Sequence, residues 1–248
     1  MNPVPLYTND YFITSSDVDF KRLLKMSRLF DFFQDIASQH AENLGGSVEM
    51  LRDKHNVAWV LMRMRVEIDE IPKLHDKITI ETWPQKARAI FERDYVVKDS
   101  KGNVVVRATS NWVILSIEKR EIVREKLVNY LDVETLSERA IDKKMGKLKP
   151  PSGLNEIYKK EIRYSDIDYN GHINNARYVD FIMDCIPVSK FEKENIKAIE
   201  VHYLNEAGSG EAIALRAADF TEDGNVVFID AVSGDDERVI FNSTVEFE

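Results

Sequence analysis

Apolar residues recur along the chain at two spacings, and these spacings predict two blocks in which one helix precedes several strands. In each block, one segment repeats its apolar positions every three or four residues, as a helix with one buried side does. The predicted buried stripes are Leu24, Ser27, Phe30 and Phe33 in the first block and Ile173, Ala176, Val179 and Ile182 in the second. A short strand is expected before each helix, over residues 11–15 and 161–165.

Runs rich in β-branched and aromatic residues follow each helical segment and predict strands. They cover residues 58–68, 77–82, 89–98 and 103–116 in the first block, and 198–205, 212–220, 226–232 and 239–247 in the second. The turns around Gly102 and Gly224 are typical of hairpins between such strands. One helix against consecutive antiparallel strands, twice over, indicates the α+β fold class.

The two blocks are also similar in sequence, which indicates an internal duplication. Residues 165–184 align with residues 16–35 at an offset of 149, with seven identical pairs in twenty and no gap. A weaker match pairs 201–215 with 66–80 at an offset of 135, so the first copy contains about 14 extra residues, which the stretch 38–56 can hold. We therefore expect two tandem domains of one architecture.

The predicted boundaries are a first domain at 1–132, a linker at 133–155 and a second domain at 156–248. Residues 132–142 have the pattern of a short helix. The stretch 143–153 contains four lysines and two prolines, which is typical of an exposed connection.

Composition narrows the possible functions. The 248 residues include 34 basic and 43 acidic side chains, for a net charge of −9, and nucleic-acid binding normally needs a basic surface. One cysteine, Cys185, excludes an internal disulfide and a cysteine-rich metal site. No apolar run reaches the length of a membrane span, and the first residues do not have the pattern of a secretory signal. We expect a cytoplasmic protein without metal or cofactor.

Candidate chemistry lies where the two copies differ. The second copy has Asp168, Asn170, His172, Asn174 and Asn175 where the first has Asp19, Lys21, Leu23, Lys25 and Met26. Amide and imidazole groups in one copy only predict one active centre, in the second copy. Backbone N–H groups at the helix start, around Asn174 and Asn175, could hold an oxyanion, although simple capping explains the asparagines equally well.

Two residues in this stretch allow more than one interpretation. His172 is expected to be neutral near a helix N-terminus and able to donate or accept a hydrogen bond, in catalysis or merely within the loop. Asp168 could be a base, a nucleophile or the group that orients His172, but Asp19 in the other copy equally favours a shared role in the turn. A calcium loop starting at Asp166 is disfavoured, because Arg177 occupies the position of its bidentate glutamate.

The segment IRYSDIDYNGHINNARYVDFIMD, residues 162–184, closely resembles the D-x-D-x-N-x-H-x-N-N-x-x-Y segment of acyl-acyl-carrier-protein (acyl-ACP) thioesterases, the FatA- and FatB-like plant enzymes and their bacterial relatives. Residues 59–84 resemble the first-domain W-V…P…D…T-W pattern of that family. The resemblance implies a tandem hotdog fold, with each long helix wrapped by an antiparallel sheet. It also implies hydrolysis of the thioester between a fatty acyl chain and the phosphopantetheine arm of acyl carrier protein.

Carried over by position, the family's catalytic aspartate, asparagine and histidine fall on Asp168, Asn170 and His172, and a catalytic glutamate falls on Glu206. A cysteine often follows that glutamate in the plant enzymes. Here the residue is Ala207, so the resemblance leaves a carboxylate mechanism. Glu206 or Asp168 would activate water or attack the thioester directly, Asn170 would position the reacting groups, and His172 would orient the carboxylate and assist proton transfer. Cys185 is expected to be a buried structural thiol.

The resemblance also implies an acyl pocket and a docking surface for an acidic carrier protein. The pocket candidates, each of which could instead belong to the core, are Trp59, Met62, Met64, Trp83 and Trp112. The docking candidates are Lys21, Arg22, Lys25 and Arg28, or the lysines of 143–149, with a solvated face as the alternative. The expected assembly is a monomer of two hotdog repeats or a homodimer.

Three other functions remain open at this point. The protein could be an acyl-CoA thioesterase of the same fold, a hotdog dehydratase acting on hydroxyacyl thioesters, or a non-enzymatic acyl-binding module. The dehydratase is disfavoured by the N-x-H-x-N-N context of His172. The binding module is disfavoured because the polar set occurs in one copy only.

Overall fold

A computed structural model describes residues 2–86, 90–123, 135–169, 171–219, 221 and 224–248. The chain divides into two compact units. The first contains Met1–Leu24, Asp31–Met64 and Asp69–Lys144, and the second contains Lys25–Phe30, Arg65–Ile68 and Met145–Glu248. Among the described residues, no helix combines the length and the apolar character needed to cross a bilayer.

The first half of the chain forms β1 (Tyr7–Phe12), α1 (Met26–Asn43), α2 (Val48–His55), β2 (Val57–Ile68), β3 (Lys77–Pro84), β4 (Phe91–Lys98) and β5 (Val104–Ser116). The spatial order of the strands is β1-β3-β4-β5-β2, and β1–β3, β3–β4 and β4–β5 are antiparallel. Helix α2 lies within the stretch where the sequence predicts the extra residues of the first copy. The Ser47 side chain caps this helix by accepting from the Met50 N–H.

The second half forms β6 (Asn155–Glu161), α3 (Asn175–Asp184), α4 (Val188–Lys193), β7 (Ile196–Tyr203), β8 (Ala212–Asp219), β9 (Val226–Ser233) and β10 (Val239–Phe247). Its strands are antiparallel in the order β7-β10-β9-β8-β6. All eight strands predicted after the helices are present, with ends within two residues of the predicted ones. The α+β fold class is confirmed.

Both predicted helical stripes are buried. In the first unit, the ring of Phe33 on α1 lies 4.8 Å from that of Tyr95 on β4. In the second, the ring of Tyr178 on α3 meets Phe241 of β10 edge-on at 5.6 Å. Such aromatic pairs add to the hydrophobic stabilisation of each core.

The short strands before the helices begin and end earlier than predicted. Residues 13–17 form a turn instead, and Tyr164–Asp166 forms a short 3-10 helix, because a carboxylate in each segment accepts a backbone hydrogen bond that a strand would have used. The Asp17 side chain accepts from the Thr14 N–H at 2.8 Å, and the Asp166 side chain accepts from the Arg163 N–H at 2.8 Å. The prediction of strands at 11–15 and 161–165 is therefore largely wrong.

The helix predicted over 132–142 is not present in its described part, residues 135–142. Side chains from the end of β3 and the residue after it hold this segment in an irregular conformation. The Glu138 carbonyl accepts from the Trp83 indole N–H at 3.0 Å and from the Gln85 amide at 2.8 Å, and Ile141 is buried. These tertiary contacts satisfy the carbonyl better than a marginal helix would.

Candidate active site

A tight turn precedes α3 and presents His172. The N–H of Asp168 donates to the His172 carbonyl at 2.8 Å, and the N–H of His172 donates back to Asp168 Oδ1 at 3.3 Å. Gly171, between them, has φ 81°, a left-handed conformation that favours glycine. A bridge between Ile167 and Ile173 closes the base of the turn. The backbone therefore fixes the position of His172.

The first copy contains the same turn without the histidine. The N–H of Asp19 donates to the Leu23 carbonyl at 2.8 Å, and Asp19 Oδ1 accepts from the Leu23 N–H at 3.0 Å. Arg22, at the position of Gly171, also has a positive φ of 62°. Asp168 thus has a structural role that does not depend on the chemistry of the second copy.

The start of α3 uses Asn174 as a cap. Its side-chain oxygen accepts from the Ala176 N–H at 2.8 Å, and its own N–H donates to the Asp166 carbonyl at 3.0 Å. The carbonyl of Asn175 accepts from the Tyr203 hydroxyl at 3.3 Å. The side-chain oxygen and the N–H of Asn174 are therefore both engaged within the turn. An oxyanion site formed by backbone N–H groups around Asn174 and Asn175 stays a prediction. Asn170 lies outside the described residues.

His172 faces a carboxylate from another part of the second unit. Its Nδ1 lies 3.2 Å from Oε2 of Glu206, which follows β7. The two side chains are 46% and 43% exposed, so a substrate can reach them from solvent. The structure therefore places two predicted catalytic residues in contact with His172. Asp168 bonds to the backbone of His172, and Glu206 contacts its imidazole ring.

Two tyrosines near this pair were not among the predicted site residues, although Tyr178 is the tyrosine that ends the D-x-D-x-N-x-H-x-N-N-x-x-Y segment. The Tyr178 phenol meets the backbone of Ala207, next to Glu206, and Tyr203 bonds to the first turn of α3. Burial raises the pKa of both phenols above their ordinary value, so they stay protonated. The difference between the two copies could have identified both tyrosines, because the first copy has Leu29 and Ile68 at the corresponding positions.

The thiol of Cys185 is buried, as predicted, and its Sγ donates to the Phe181 carbonyl at 3.3 Å. Burial first, and then the neighbouring Asp184 carboxylate, raises the pKa of this thiol to about 12. A thiol with such a pKa holds almost no nucleophilic thiolate at neutral pH.

A cavity with an empty volume of about 600 Å³, its open mouth included, lies within the first unit. Its described lining consists of Ala37, Ser38, Ala41, Val48, Trp59, Pro84, Gln85, Phe91, Glu92, Arg93 and Trp112. The indole N–H groups of Trp59 and Trp112 donate to the Gly46 carbonyl at 3.2 Å and to Ser110 Oγ at 2.7 Å. With these groups satisfied, the indoles give the cavity apolar walls.

The other three pocket candidates, Met62, Met64 and Trp83, are not among the described residues that line this cavity. Met64 is fully buried in the core, and the Trp83 indole binds the Glu138 carbonyl. Periodicity in a strand cannot separate cavity walls from core, because both positions are apolar.

The basic candidates lie on both units. Lys21 and Arg22 belong to the first unit, whereas Lys25 and Arg28 group with the second. Arg22 and Lys25 are exposed, and Lys21 and Arg28 are partly buried. The four lysines of 143–149 are exposed. Within the described part of the chain, no cluster of three or more His, Cys, Asp or Glu side chains could hold a metal ion.

Comparison with protein families matches both halves of the chain. Residues 5–127 match the acyl-ACP thioesterase N-terminal domain, and residues 153–244 match the acyl-ACP thioesterase C-terminal domain. The chain belongs to the acyl-ACP thioesterase family. Its C-terminal domain contains the turn of His172 and the residue Glu206.

Plant members of the family are similar along most of the chain. The Arabidopsis thaliana oleoyl-acyl carrier protein thioesterase 2, chloroplastic, is 27% identical over 225 residues, which are 84% of this chain and 61% of that protein. The palmitoyl-acyl carrier protein thioesterase, chloroplastic, of the same plant is 26% identical over 251 residues, 94% of this chain and 59% of that protein. The chain thus spans about three-fifths of the length of these relatives.

Solved structures of acyl-ACP thioesterases share the fold. The acyl-ACP thioesterase from Bacteroides thetaiotaomicron superposes with a TM-score of 0.91 at 26% identity, covering 98% of both chains. The 12:0-ACP thioesterase from Umbellularia californica, at 20% identity, gives a TM-score of 0.87 and covers 99% of this chain and 98% of that one. The tandem hotdog fold expected from the resemblance is confirmed.

Proposed function

We propose that this protein hydrolyses fatty acyl thioesters of acyl carrier protein and releases the free fatty acid. The observation that carries the proposal is the contact of 3.2 Å between His172 Nδ1 and Glu206 Oε2. This pair is open to solvent and occurs in only one of two otherwise similar copies. Family membership and the activities for which the plant relatives are named supply the substrate class.

The chemistry follows from the hydrogen-bonding capacity of the pair. An ionised Glu206 can only accept, so a neutral His172 carries its proton on Nδ1 and leaves a lone pair on Nε2. Nε2 then takes a proton from water as the water oxygen attacks the thioester carbon. The Glu206 carboxylate stabilises the imidazolium that forms. Collapse of the tetrahedral intermediate breaks the carbon–sulfur bond, and the imidazolium returns its proton to the leaving thiolate.

In this mechanism Asp168 is a positioning residue for His172, because its carboxylate accepts the His172 N–H as Asp19 accepts the Leu23 N–H in the first copy. The N-terminal end of α3 starts three residues after His172. Its dipole places partial positive charge next to the reacting carbonyl, where negative charge develops.

The cavity of the first unit is the proposed site of the acyl tail. Its walls are the apolar faces of Trp59, Phe91 and Trp112, and its lining from α1 is small because alanine occupies positions 37 and 41. Each buried methylene contributes about 0.8 kcal/mol of binding free energy, so an apolar cavity of limited volume discriminates between chain lengths.

The test is to incubate the purified chain with matched series of acyl-ACP and acyl-CoA substrates and to quantify free thiol and fatty acid. Higher kcat/KM on acyl-ACP supports the proposal. Higher kcat/KM on acyl-CoA would instead identify acyl-CoA as the substrate of the same reaction. Retained acyl binding with no thiol release on either series would overturn the enzymatic proposal and favour a binding module.

A further inference from the structure

Glu206 lies on a loop, residues 204–211, that is tied to the rest of the second unit from two sides. The N–H groups of Leu204 and Asn205 both donate to the Ile240 carbonyl, at 2.9 and 3.0 Å. At the other end, the N–H of Gly210 donates to the Ile162 carbonyl at 3.0 Å. The loop ends are therefore anchored by the backbone, but these bonds do not hold residue 206 itself.

The side chain of Arg238 reaches the middle of this loop. Its Nη1 donates to the Glu206 carbonyl at 3.0 Å, and its Nη2 donates to Oε1 of Glu211 at 2.8 Å. Oε2 of Glu211 accepts from the Gly208 N–H at 2.9 Å. Although partial burial opposes it, the Gly208 N–H and Arg238 hold the pKa of the Glu211 carboxyl below its usual value. The Arg238 guanidinium thus connects the backbone of Glu206 to the carboxylate of Glu211, the acid that closes the loop by bonding to Gly208.

The first copy has the same loop without the arginine. Asp76 replaces Glu211 and accepts from the Lys73 N–H at 2.8 Å, and the His75 N–H donates to the Ile13 carbonyl as that of Gly210 does to Ile162. Asn103 stands at the position of Arg238, and Ile71 at the position of Glu206. The acid that closes the loop belongs to the shared scaffold, whereas Arg238 occurs together with Glu206 and His172.

We infer that Arg238 is a positioning residue that fixes the backbone of Glu206. The Glu206 carboxylate then stays within hydrogen-bond distance of His172 Nδ1. The inference rests on the proposed function for its effect on turnover, but not for its effect on the geometry of the pair. A fork of two N–H donors from one planar group restrains the loop in two directions, which a single ammonium cannot do.

The experiment compares the wild type with Arg238→Ala and Arg238→Lys in the full chain. We expect kcat of Arg238→Ala to fall roughly 10- to 100-fold with KM little changed, because a misplacement of about 1 Å is costly in an active site. Arg238→Lys should recover part of the loss. Guanidinium, added well below denaturing concentrations, should restore part of the activity of Arg238→Ala, whereas sodium at the same ionic strength should not.

A second measurement does not require turnover. The ¹⁵N signals of the His172 ring report which nitrogen carries the proton, and we expect the Nδ1-protonated form to lose population in Arg238→Ala. Lys197→Ala is the control: it removes an exposed cation that pairs with Glu248 at 2.6 Å in the same unit, and it should change neither kcat nor the ring signals.

The outcomes separate the inference from the proposed function. Wild-type protein that cleaves no thioester refutes the proposed function, while the ring signals still test the positioning role. Unchanged His172 signals and unchanged kcat in Arg238→Ala would overturn the inference. So would equal losses in both variants, with no guanidinium rescue and a lower melting temperature, because that pattern belongs to a purely structural arginine.

Discussion

Replacing Glu206 with Gln separates the charge of the His172–Glu206 pair from its shape. The amide oxygen of glutamine can still accept the Nδ1–H of His172, so the ring orientation is kept while the negative charge is removed. The imidazolium formed during turnover then loses its counter-charge. This variant therefore asks whether Glu206 acts through its charge.

The size of the effect follows from the distance of 3.2 Å between Nδ1 and Oε2. Coulomb's law gives about 5 kcal/mol at an effective dielectric constant of about 20, and about 1.3 kcal/mol at the value of water. Because both side chains are almost half exposed, solvent screening favours the lower part of this range. At about 1.4 kcal/mol per tenfold change in rate, we expect kcat to fall roughly 10- to 100-fold.

The assay is single-turnover release of thiol from acyl-ACP, with circular dichroism and thermal melting to confirm that the fold is retained. Glu192→Gln is the matched control, because it makes the same chemical change at an exposed glutamate of the same unit. Asp168→Asn is the informative comparison. Its side-chain oxygen can still accept the His172 N–H, so its loss should be smaller than that of Glu206→Gln.

The reasoning would be refuted by either of two results. Full turnover of a folded Glu206→Gln variant would remove the carboxylate from the mechanism. A larger loss in Asp168→Asn than in Glu206→Gln would make Asp168 the base or nucleophile, which is the alternative that the family resemblance left open.

Three further predictions concern other parts of the molecule. Ala41→Leu should shorten the acyl chain that is cleaved fastest, and Trp112→Leu should lengthen it, as measured by kcat/KM on an acyl-ACP series; unchanged profiles would exclude the first-unit cavity as the tail site. His40 Nδ1 lies 2.9 Å from Arg93 Nη1, and burial together with the Arg93 charge lowers the pKa of His40 from 6.5 to about 4. Between these pH values the unfolded chain binds more protons, so the free energy of unfolding should fall by up to about 3 kcal/mol on acidification, and urea melts of His40→Gln should show less of this fall. Cys185→Ser should retain activity, because the buried thiol is no nucleophile; complete loss of turnover in a folded variant would contradict this.

The duplication explains why the second copy can hold chemistry on a scaffold that the first copy shares. The turn of Asp168 and the loop closed by Glu211 both recur, as the turn of Asp19 and the loop closed by Asp76. The scaffold contributes backbone geometry in both places. The catalytic candidates then differ from the first copy only by their side chains, at positions whose backbone the shared scaffold already fixes.

The sequence by itself determined the elements, the duplication and one part of the site. The buried stripes of α1 and α3 and all eight strands after the helices follow from periodicity, because the local spacing of apolar residues matches one element only. The polar turn of His172 was visible because one copy lacks it. Glu206 entered only through resemblance, since nothing in its local sequence distinguishes it from other exposed glutamates.

Only the tertiary structure decided which side chains meet. Tyr178, Tyr203 and Arg238 come from α3, β7 and the residue before β10, and they converge on Glu206 and the start of α3 because the antiparallel register brings their strand ends together. Trp59 and Trp112 face a cavity while Met64 fills the core, although all three have the same apolar pattern. Periodicity reports which face of an element is buried, whereas the partners across that face are set by chain segments far away in sequence.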